Sequence, residues 1–246
     1  MKSPLRYPGG KTRAIKILEK YIPEGTKEIC SPFFGGGSFE LFLEDKGIKV
    51  YAYDNFEPLV SFWQYLRNDR FLLHSNVERF YPMTKDNFNY IQKNIMDMSN
   101  VRMAAMFYAI NRSSFSGSTF SGGMSPNTPR FNKRSLDYLL SFKTDINVKY
   151  FPFELSIDQH DCLVFADPPY YIENNLYGNK GDMHKYFNHK LLSIILLKRG
   201  NFILTYNDCK YIRELYKDCN IEIAEWSYGM NKSKKSSEII ITPKNG

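Results

Sequence analysis

The sequence predicts an α/β fold: an open, mostly parallel sheet carrying a largely helical insertion over residues 58–145. Three observations predict it. An apolar run at 28–33 ends in Gly35-Gly36-Gly37 and leads into a short helical stretch. A second run at 48–53 alternates β-branched and aromatic residues and ends at Asp54. Strand, glycine turn, helix, strand and acid in that order open a nucleotide-binding βαβ unit. A third apolar run, Leu163–Ala166, ends at Asp167, and strands then alternate with helices to the last residues.

The elements follow in order. Residues 38–43 read as the helix after the glycine turn, and 57–67 as the next. Residues 84–96 space Phe88, Ile91 and Ile95 for one helical face, with Thr84 as N-cap. Residues 101–110 read as a further helix. Residues 111–132 are rich in Ser, Gly, Pro and Asn and read as a long loop, a feature that inside a compact domain is functional or disordered. Beyond Asp167 come a helix at 191–197, a strand at 202–206, a helix at 211–216, and closing strands at 221–226 and 238–242.

Composition bounds the function. Of 246 residues, 43% are hydrophobic and 24% charged, the ordinary globular balance. The 18 Tyr and 19 Phe suit base stacking, but they also fill cores. Net charge is +7, compatible with a polyanionic partner. Its distribution says more: no acid lies between Asp97 and Asp137, where Arg102, Arg112, Arg130, Lys133 and Arg134 mix with serines and with Phe115, Phe120 and Phe131. This is a solvated polar loop or a nucleic-acid surface. Cys30, Cys162, Cys209 and Cys219 form no CxxC pair and read as reduced thiols. With His74, His160, His184 and His189 they make no metal-ligand spacing, so no metal is expected. The opening Met1-Lys2-Ser3-Pro4 does not read as a secretory signal, and no apolar run reaches membrane-spanning length. A soluble, intracellular, cytoplasmic protein is expected.

Asp167-Pro168-Pro169-Tyr170 follows an apolar strand, at the end where open α/β sheets place their active sites. The prolines fix φ and supply no N–H, leaving carbonyls free as acceptors. An acid, a free carbonyl and an aromatic ring in a rigid frame fit a planar amino group: two N–H donors on two acceptors, with the ring stacked on the face. The lone pair of an aromatic amine is delocalised and a poor nucleophile. Acceptors on both hydrogens favour the pyramidal form and free it. Methyl transfer from a sulfonium is then in-line displacement and needs positioning more than a strong base. The plainer reading is a rigid turn after a strand. Ser31-Pro32-Phe33-Phe34-Gly35-Gly36-Gly37-Ser38 has neither the GxGxxG spacing of dinucleotide folds nor a P-loop lysine, so phosphate cradling is not expected. Asp54 can accept from both hydroxyls of a ribose, or cap the next helix.

These motifs carry a resemblance. In order along nearly the whole chain, the sequence resembles the Dam-type family of DNA adenine methyltransferases. Leu5-Arg6-Tyr7-Pro8-Gly9-Gly10-Lys11 resembles the family's aromatic-x-Gly-Gly-Lys element. Pro32–Ser38 resembles its Pro-Phe-x-Gly-x-Gly-Ser turn, and Asn111-Arg112-Ser113-Ser114-Phe115-Ser116-Gly117 its Asn-Arg-x-x-Phe/Tyr-Asn-Gly segment. Asp167-Pro168-Pro169-Tyr170 resembles its catalytic element. The resemblance implies a Rossmann-like methyltransferase sheet dependent on S-adenosylmethionine (SAM), with 1–57 and 146–246 as the catalytic domain and 58–145 as the target-recognition subdomain. It implies SAM bound by Tyr7, Gly10, Lys11, Phe34, Gly35, Gly37, Asp54 and Asp167, with Tyr7 flanking it, Lys11 reaching its methionine carboxylate or shaping that pocket, and Asp54 holding its ribose. It implies Asp167, Pro168, Pro169 and Tyr170 as catalytic, Tyr170 stacking on a flipped adenine of double-stranded DNA.

For DNA contact, Arg112 is the leading residue, with a structural arginine at the helix end as the alternative. Arg130, Lys133 and Arg134 read as phosphate clamps, and Ser118 opens the base-reading loop. Family members that read GATC carry Gly-x-Phe-Asn-x-Pro-Phe-Gly where this chain has residues 121–131, so the resemblance does not carry GATC recognition over. RNA adenine methylation, amide methylation and a catalytically silent DNA-binding module are the competing readings. Asp rather than Asn at 167 disfavours the second, and the unbroken motifs disfavour the third.

Overall fold

The computed structural model describes residues 1–7, 9–120, 122–171, 187–225 and 237–244. Pro8, Ser121, His184 and Trp226, which fall within the sequence reading, lie outside the described residues. Seven strands form one sheet: β1 Glu28–Ser31, β2 Lys49–Asp54, β3 Val148–Tyr150, β4 Leu163–Ala166, β5 Phe202–Asn207, β6 Asn220–Glu225 and β7 Ser237–Thr242. Their spatial order is β3-β2-β1-β4-β5-β7-β6. The first five pair in parallel, and β7 runs antiparallel to both β5 and β6. The mostly parallel α/β reading therefore holds. Strand order turns back between β1 and β4, the place where such a sheet opens a crevice at its carboxyl ends.

Side-chain alternation along the strands explains the layers. Ile29, Leu163, Phe165, Ile203 and Ile240 face one core. Cys30, Val164, Ala166, Leu204, Tyr206 and Ile241 face the other. The first core also takes in the helices Glu57–Asn68, Arg70–Glu78, Lys85–Asn94, Asn100–Ser113 and Lys133–Ser141, which lie between β2 and β3. The helical insertion thus shares its core with one face of the sheet. Three cysteines are buried, Cys209 is half-buried, and all four are free. Among the described residues no helix is long and apolar enough to cross a membrane.

Most boundaries agree with the sequence reading to within a few residues. Thr84 caps its helix by accepting from Asn87 N. The loop reading of 111–132 needs one correction, because the helix runs on through Ser113. The chain then makes a 3-10 turn at Phe115–Gly117, and an isolated bridge joins Ser114 to Met124. Asn111 explains the extension: its buried amide leaves the helix and bonds a distant backbone segment.

A buried lysine and the acids at the crevice

Asp167 sits where the sequence places it, immediately past β4. Its Oδ1 lies 2.6 Å from Lys11 Nζ and accepts from Thr205 Oγ1 at 2.6 Å. Lys11 is 4% exposed. It also donates to the Gly9 carbonyl and the Tyr170 hydroxyl, each at 3.0 Å, and lies 3.7 Å from Glu238 Oε2. The Tyr170 ring centroid is 5.2 Å from the same ammonium. One lysine from the N-terminal segment thus joins both ends of the Asp-Pro-Pro-Tyr tetrapeptide.

The glycine turn is shaped by an aromatic ring. A Cβ on Gly36 would stand 2.7 Å from Tyr7 Cβ, and one on Gly37 would stand 2.6 Å from the Phe34 ring. Gly35 and Gly37 also have φ of 49° and 63°, a region side chains disfavour. The Phe34 ring packs edge-on against Trp63, whose indole donates to the Gly35 carbonyl at 3.0 Å. Gly10 N bonds the Tyr7 carbonyl at 3.0 Å. Asp54 ends β2 beside this turn. Its Oδ2 accepts from Gly35 N at 2.9 Å and its Oδ1 from Phe56 N at 3.0 Å. The helix behind it starts on Phe56, so Asp54 makes a turn into that helix and is not its N-cap. Burial pushes the Asp54 carboxyl up to about 6, against the pull of its backbone amides. Burial, with the charges of Asp54 and Asp167, holds the Tyr7 phenol above its ordinary value.

Glu40, in the first turn of the Ser38–Asp45 helix, is a further buried acid. It accepts from Ser31 Oγ at 2.7 Å. Burial pushes its carboxyl up to about 7, with the Ser31 bond opposing, Asp167 adding and Lys11 subtracting. Asp167 and Glu238 lie within ion-pair distance of one buried lysine, and Glu40 is near enough to feel the charges of Asp167 and that lysine. A cofactor with a sulfonium beside the ammonium and carboxylate of an amino acid has one net positive charge, which fits that excess of acid. The acid of Asp54 beside a glycine turn fits a ribose.

In the helical insertion, Asn111 Oδ1 accepts from Arg6 N at 2.9 Å, and its Nδ2 donates to the Arg6 carbonyl at 2.8 Å. This ties the last turn of the Asn100–Ser113 helix to the N-terminal motif. Gly117 presses on the same residue: a Cβ there would stand 2.1 Å from the Arg6 carbonyl oxygen. Arg112 donates to the Arg130 carbonyl at 2.9 Å and to the Pro4 carbonyl at 3.3 Å. That is a structural use of the guanidinium, across two segments, and the helix end is not its target. Ser118 Oγ bonds the Phe115 carbonyl at 2.7 Å, while the Phe115 ring is 65% exposed. A cavity of about 280 Å³ opens beside them, lined by Arg6, Tyr7, Gly10, Thr12, Ser38 and Ser116.

Arg130, Lys133 and Arg134 are exposed, and no acid among the described residues lies within ion-pair distance of them. Lys133 and Arg134 occupy the first turn of the Lys133–Ser141 helix, where the macrodipole disfavours cations. The Asn132–Ser135 capping box holds that turn regardless.

The sequence reading missed Thr205, Asn207, Glu40 and Glu238. For the first two a signal was present: polar Thr205 and Asn207 interrupt the apolar run at the carboxyl end of β5, where function collects.

The model of the D12 class N6 adenine-specific DNA methyltransferase family matches residues 7–230. The chain is 25% identical over 248 residues to the DNA N-6-adenine-methyltransferase of Escherichia phage P1, covering 90% of this chain and 32% of that protein. It is 26% identical over 200 residues to the type II methyltransferase M.MjaIII of Methanocaldococcus jannaschii, covering 68% of each. The chain thus spans about a third of the phage protein's length and about two thirds of the archaeal one's.

Proposed function

Because this chain belongs to the D12 class N6 adenine-specific DNA methyltransferase family, we propose that it methylates adenine N6 at a specific site in double-stranded DNA, in the cytoplasm, with SAM as cofactor and no metal. The observation that carries the reading is the pairing of Asp167 with Lys11 and Thr205 at the carboxyl end of β4, followed by two prolines and a tyrosine tied to the same lysine. SAM, when bound, supplies an electrophilic methyl group. Tyr7, Gly10, Phe34, Gly35, Gly37 and Asp54 would hold it, with Lys11 and Asp167 at its charged end.

The protein's own part is positional. The adenine is flipped out of the duplex. Asp167 accepts one hydrogen of its amino group and a carbonyl of the proline pair accepts the other. This turns the lone pair out of conjugation and aims it in line with the methyl group. Tyr170 stacks on the base, its hydroxyl held by Lys11. Phe115, exposed on the recognition segment, is suited to fill the stack that the base has left. Residues 1–57 and 146–246 carry the chemistry in this reading, and 58–145 read the target.

Transfer of tritiated methyl from SAM tests it: duplex DNA should accept label at adenine N6, and an RNA of the same sequence should not. Label in RNA alone, or in neither polymer, would overturn the proposal.

For the cofactor pocket, Asp54→Ala is expected to weaken SAM binding by about 1–3 kcal/mol, the loss from hydrogen-bonding groups left unpaired. Backbone bonds from Gly35, Phe56 and Asn55 leave the Asp54 carboxylate one of its roughly four lone-pair sites. The accepting form is the ionised one, and the carboxyl stands at about 6. Wild-type affinity should therefore fall as pH drops through about 6, and the variant should lose that dependence. Calorimetry at pH 5 and pH 8 reads both, and unchanged affinity in Asp54→Ala removes the residue from the site.

For DNA, Lys133→Ala is expected to weaken binding to all duplexes alike and to flatten the salt slope by about one unit, as a phosphate contact does. Exchanging residues 118–125 should change which sequence is methylated. A slope unaltered in Lys133→Ala, in a titration of Kd against salt, would take the phosphate away from it.

A further inference from the structure

The parallel ladder between β4 and β5 ends at the pair Ala166 and Leu204. Beyond it the chain enters Asp167-Pro168-Pro169-Tyr170, and neither proline has an N–H with which to continue the ladder. The connection is nevertheless kept by side chains. Thr205 Oγ1 donates to Asp167 Oδ1 at 2.6 Å. Asn207 holds the other end: its Oδ1 accepts from Tyr171 N at 3.0 Å and its Nδ2 donates to the Tyr171 carbonyl at 2.9 Å. Thr205 and Asn207 are two residues apart, so they share one face of β5 with a separation of about 6.6 Å along the strand.

We infer that Thr205 and Asn207 are positioning residues that pin the catalytic tetrapeptide at both ends and select Oδ2 of Asp167 as the atom that accepts the target amino hydrogen. This rests on the proposed methyl transfer. The selection follows from which oxygen is already engaged. Oδ1 accepts from the Thr205 hydroxyl at 2.6 Å and is ion-paired with the Lys11 ammonium at 2.6 Å. Oδ2 has no hydrogen-bond partner among the described residues, and the Asp167 side chain remains 21% exposed. Thr205 is fully buried, and its hydroxyl lies 2.6 Å from Asp167 Oδ1 against 3.5 Å from the Ala166 carbonyl, so its proton goes to the carboxylate. The carboxylate can neither rotate nor exchange its oxygens without breaking a short, charge-assisted bond. At the far end, the two bonds of Asn207 fix the backbone just after Tyr170, and so the plane in which that ring meets the base.

Thr205→Val keeps the shape and removes the donor; Thr205→Ser keeps the donor. In single-turnover transfer with tritiated SAM, Thr205→Val should be slower by about ten- to a hundredfold, the worth of one hydrogen bond to a charged group. The Kd values for SAM and for DNA should stay at wild-type values, and the melting temperature should fall by only several degrees, as loss of one buried hydrogen bond implies. Thr205→Ser should restore the rate. A wild-type rate in Thr205→Val overturns the inference, and so does a Thr205→Ser rate as low as that of the valine variant.

Hydrogen exchange reads the other clamp without reference to turnover. The Tyr171 amide should exchange faster in Asn207→Ala than in wild type, and equal rates overturn that clamp. A wild-type chain that transfers no methyl group to any adenine refutes the proposed function instead, a result distinct from an active chain indifferent to Thr205.

Discussion

Replacing Asp167 with alanine is expected to slow methyl transfer by about a thousandfold or more while leaving the protein folded. Two losses combine. An electrostatic partner aimed at the reacting group contributes roughly a hundred- to a thousandfold when removed singly. The same carboxylate fixes where the amino nitrogen stands, and a misplacement of about 1 Å costs roughly another hundredfold. The fold should survive because Asp167 lies past the end of β4 and is one-fifth exposed. Lys11 also keeps Glu238, the Gly9 carbonyl and the Tyr170 hydroxyl. Rapid-quench transfer under single-turnover conditions, with circular dichroism as the control, measures both. A rate within tenfold of wild type in a folded variant would take the amino-group acceptor away from Asp167 and leave Tyr170 and the proline carbonyls as the remaining actors.

The parts of this molecule that were legible in its sequence share one property: local sequence decides them. The glycine turn after β1 needs positive φ at Gly35 and Gly37, and glycine records that need. Strand β4 is a short apolar run bounded by an acid and prolines. What escaped notice depends on distant partners. Asn111 and Arg112 look like one polar helix end. Yet one is buried against the Arg6 backbone and the other spans Pro4 and Arg130. Strand β3 is three residues long, with Lys149 and Tyr150 exposed at the sheet edge, so it has no periodicity to detect. The helix Lys133–Ser141 went unnamed because its first turn carries two cations where helices favour acids. Thr205 and Asn207 read as ordinary polar positions until the neighbouring strand shows what they hold. The four motifs of the resemblance located the crevice, but the link between the first and the last of them is the Lys11 ammonium, which only the folded chain reveals.

That lysine carries the second large expectation. Lys11→Met should lose about 3 kcal/mol of stability, the lower end for breaking a buried pair. In a chain of this size that corresponds to a melting point lower by about 6–12 °C. Methionine fills the space but leaves Asp167, Glu238 and Glu40 with no cation among them. Transfer should fall as well, because Asp167 and Tyr170 lose the donor they share. Lys11→Arg should recover part of the stability and little of the rate: a flat guanidinium cannot reproduce two hydrogen bonds and a close ion pair made from one nitrogen.

The pH dependence separates this account from simple loss of packing. Burial raises Glu40 to about 7 in the folded protein, against an ordinary carboxylate value of 4.5. Between those two values the folded state holds a proton that the unfolded state has released, so stability rises as pH falls through that window. Without Lys11, Glu40 loses a charge that favours its ionised form and holds its proton more firmly on folding. The melting-point deficit of Lys11→Met should therefore be largest near pH 8 and shrink toward pH 5. Scanning calorimetry across that range decides between the two accounts: a deficit constant with pH would mean that the methionine merely packs badly, and that Glu40 does not depend on the lysine.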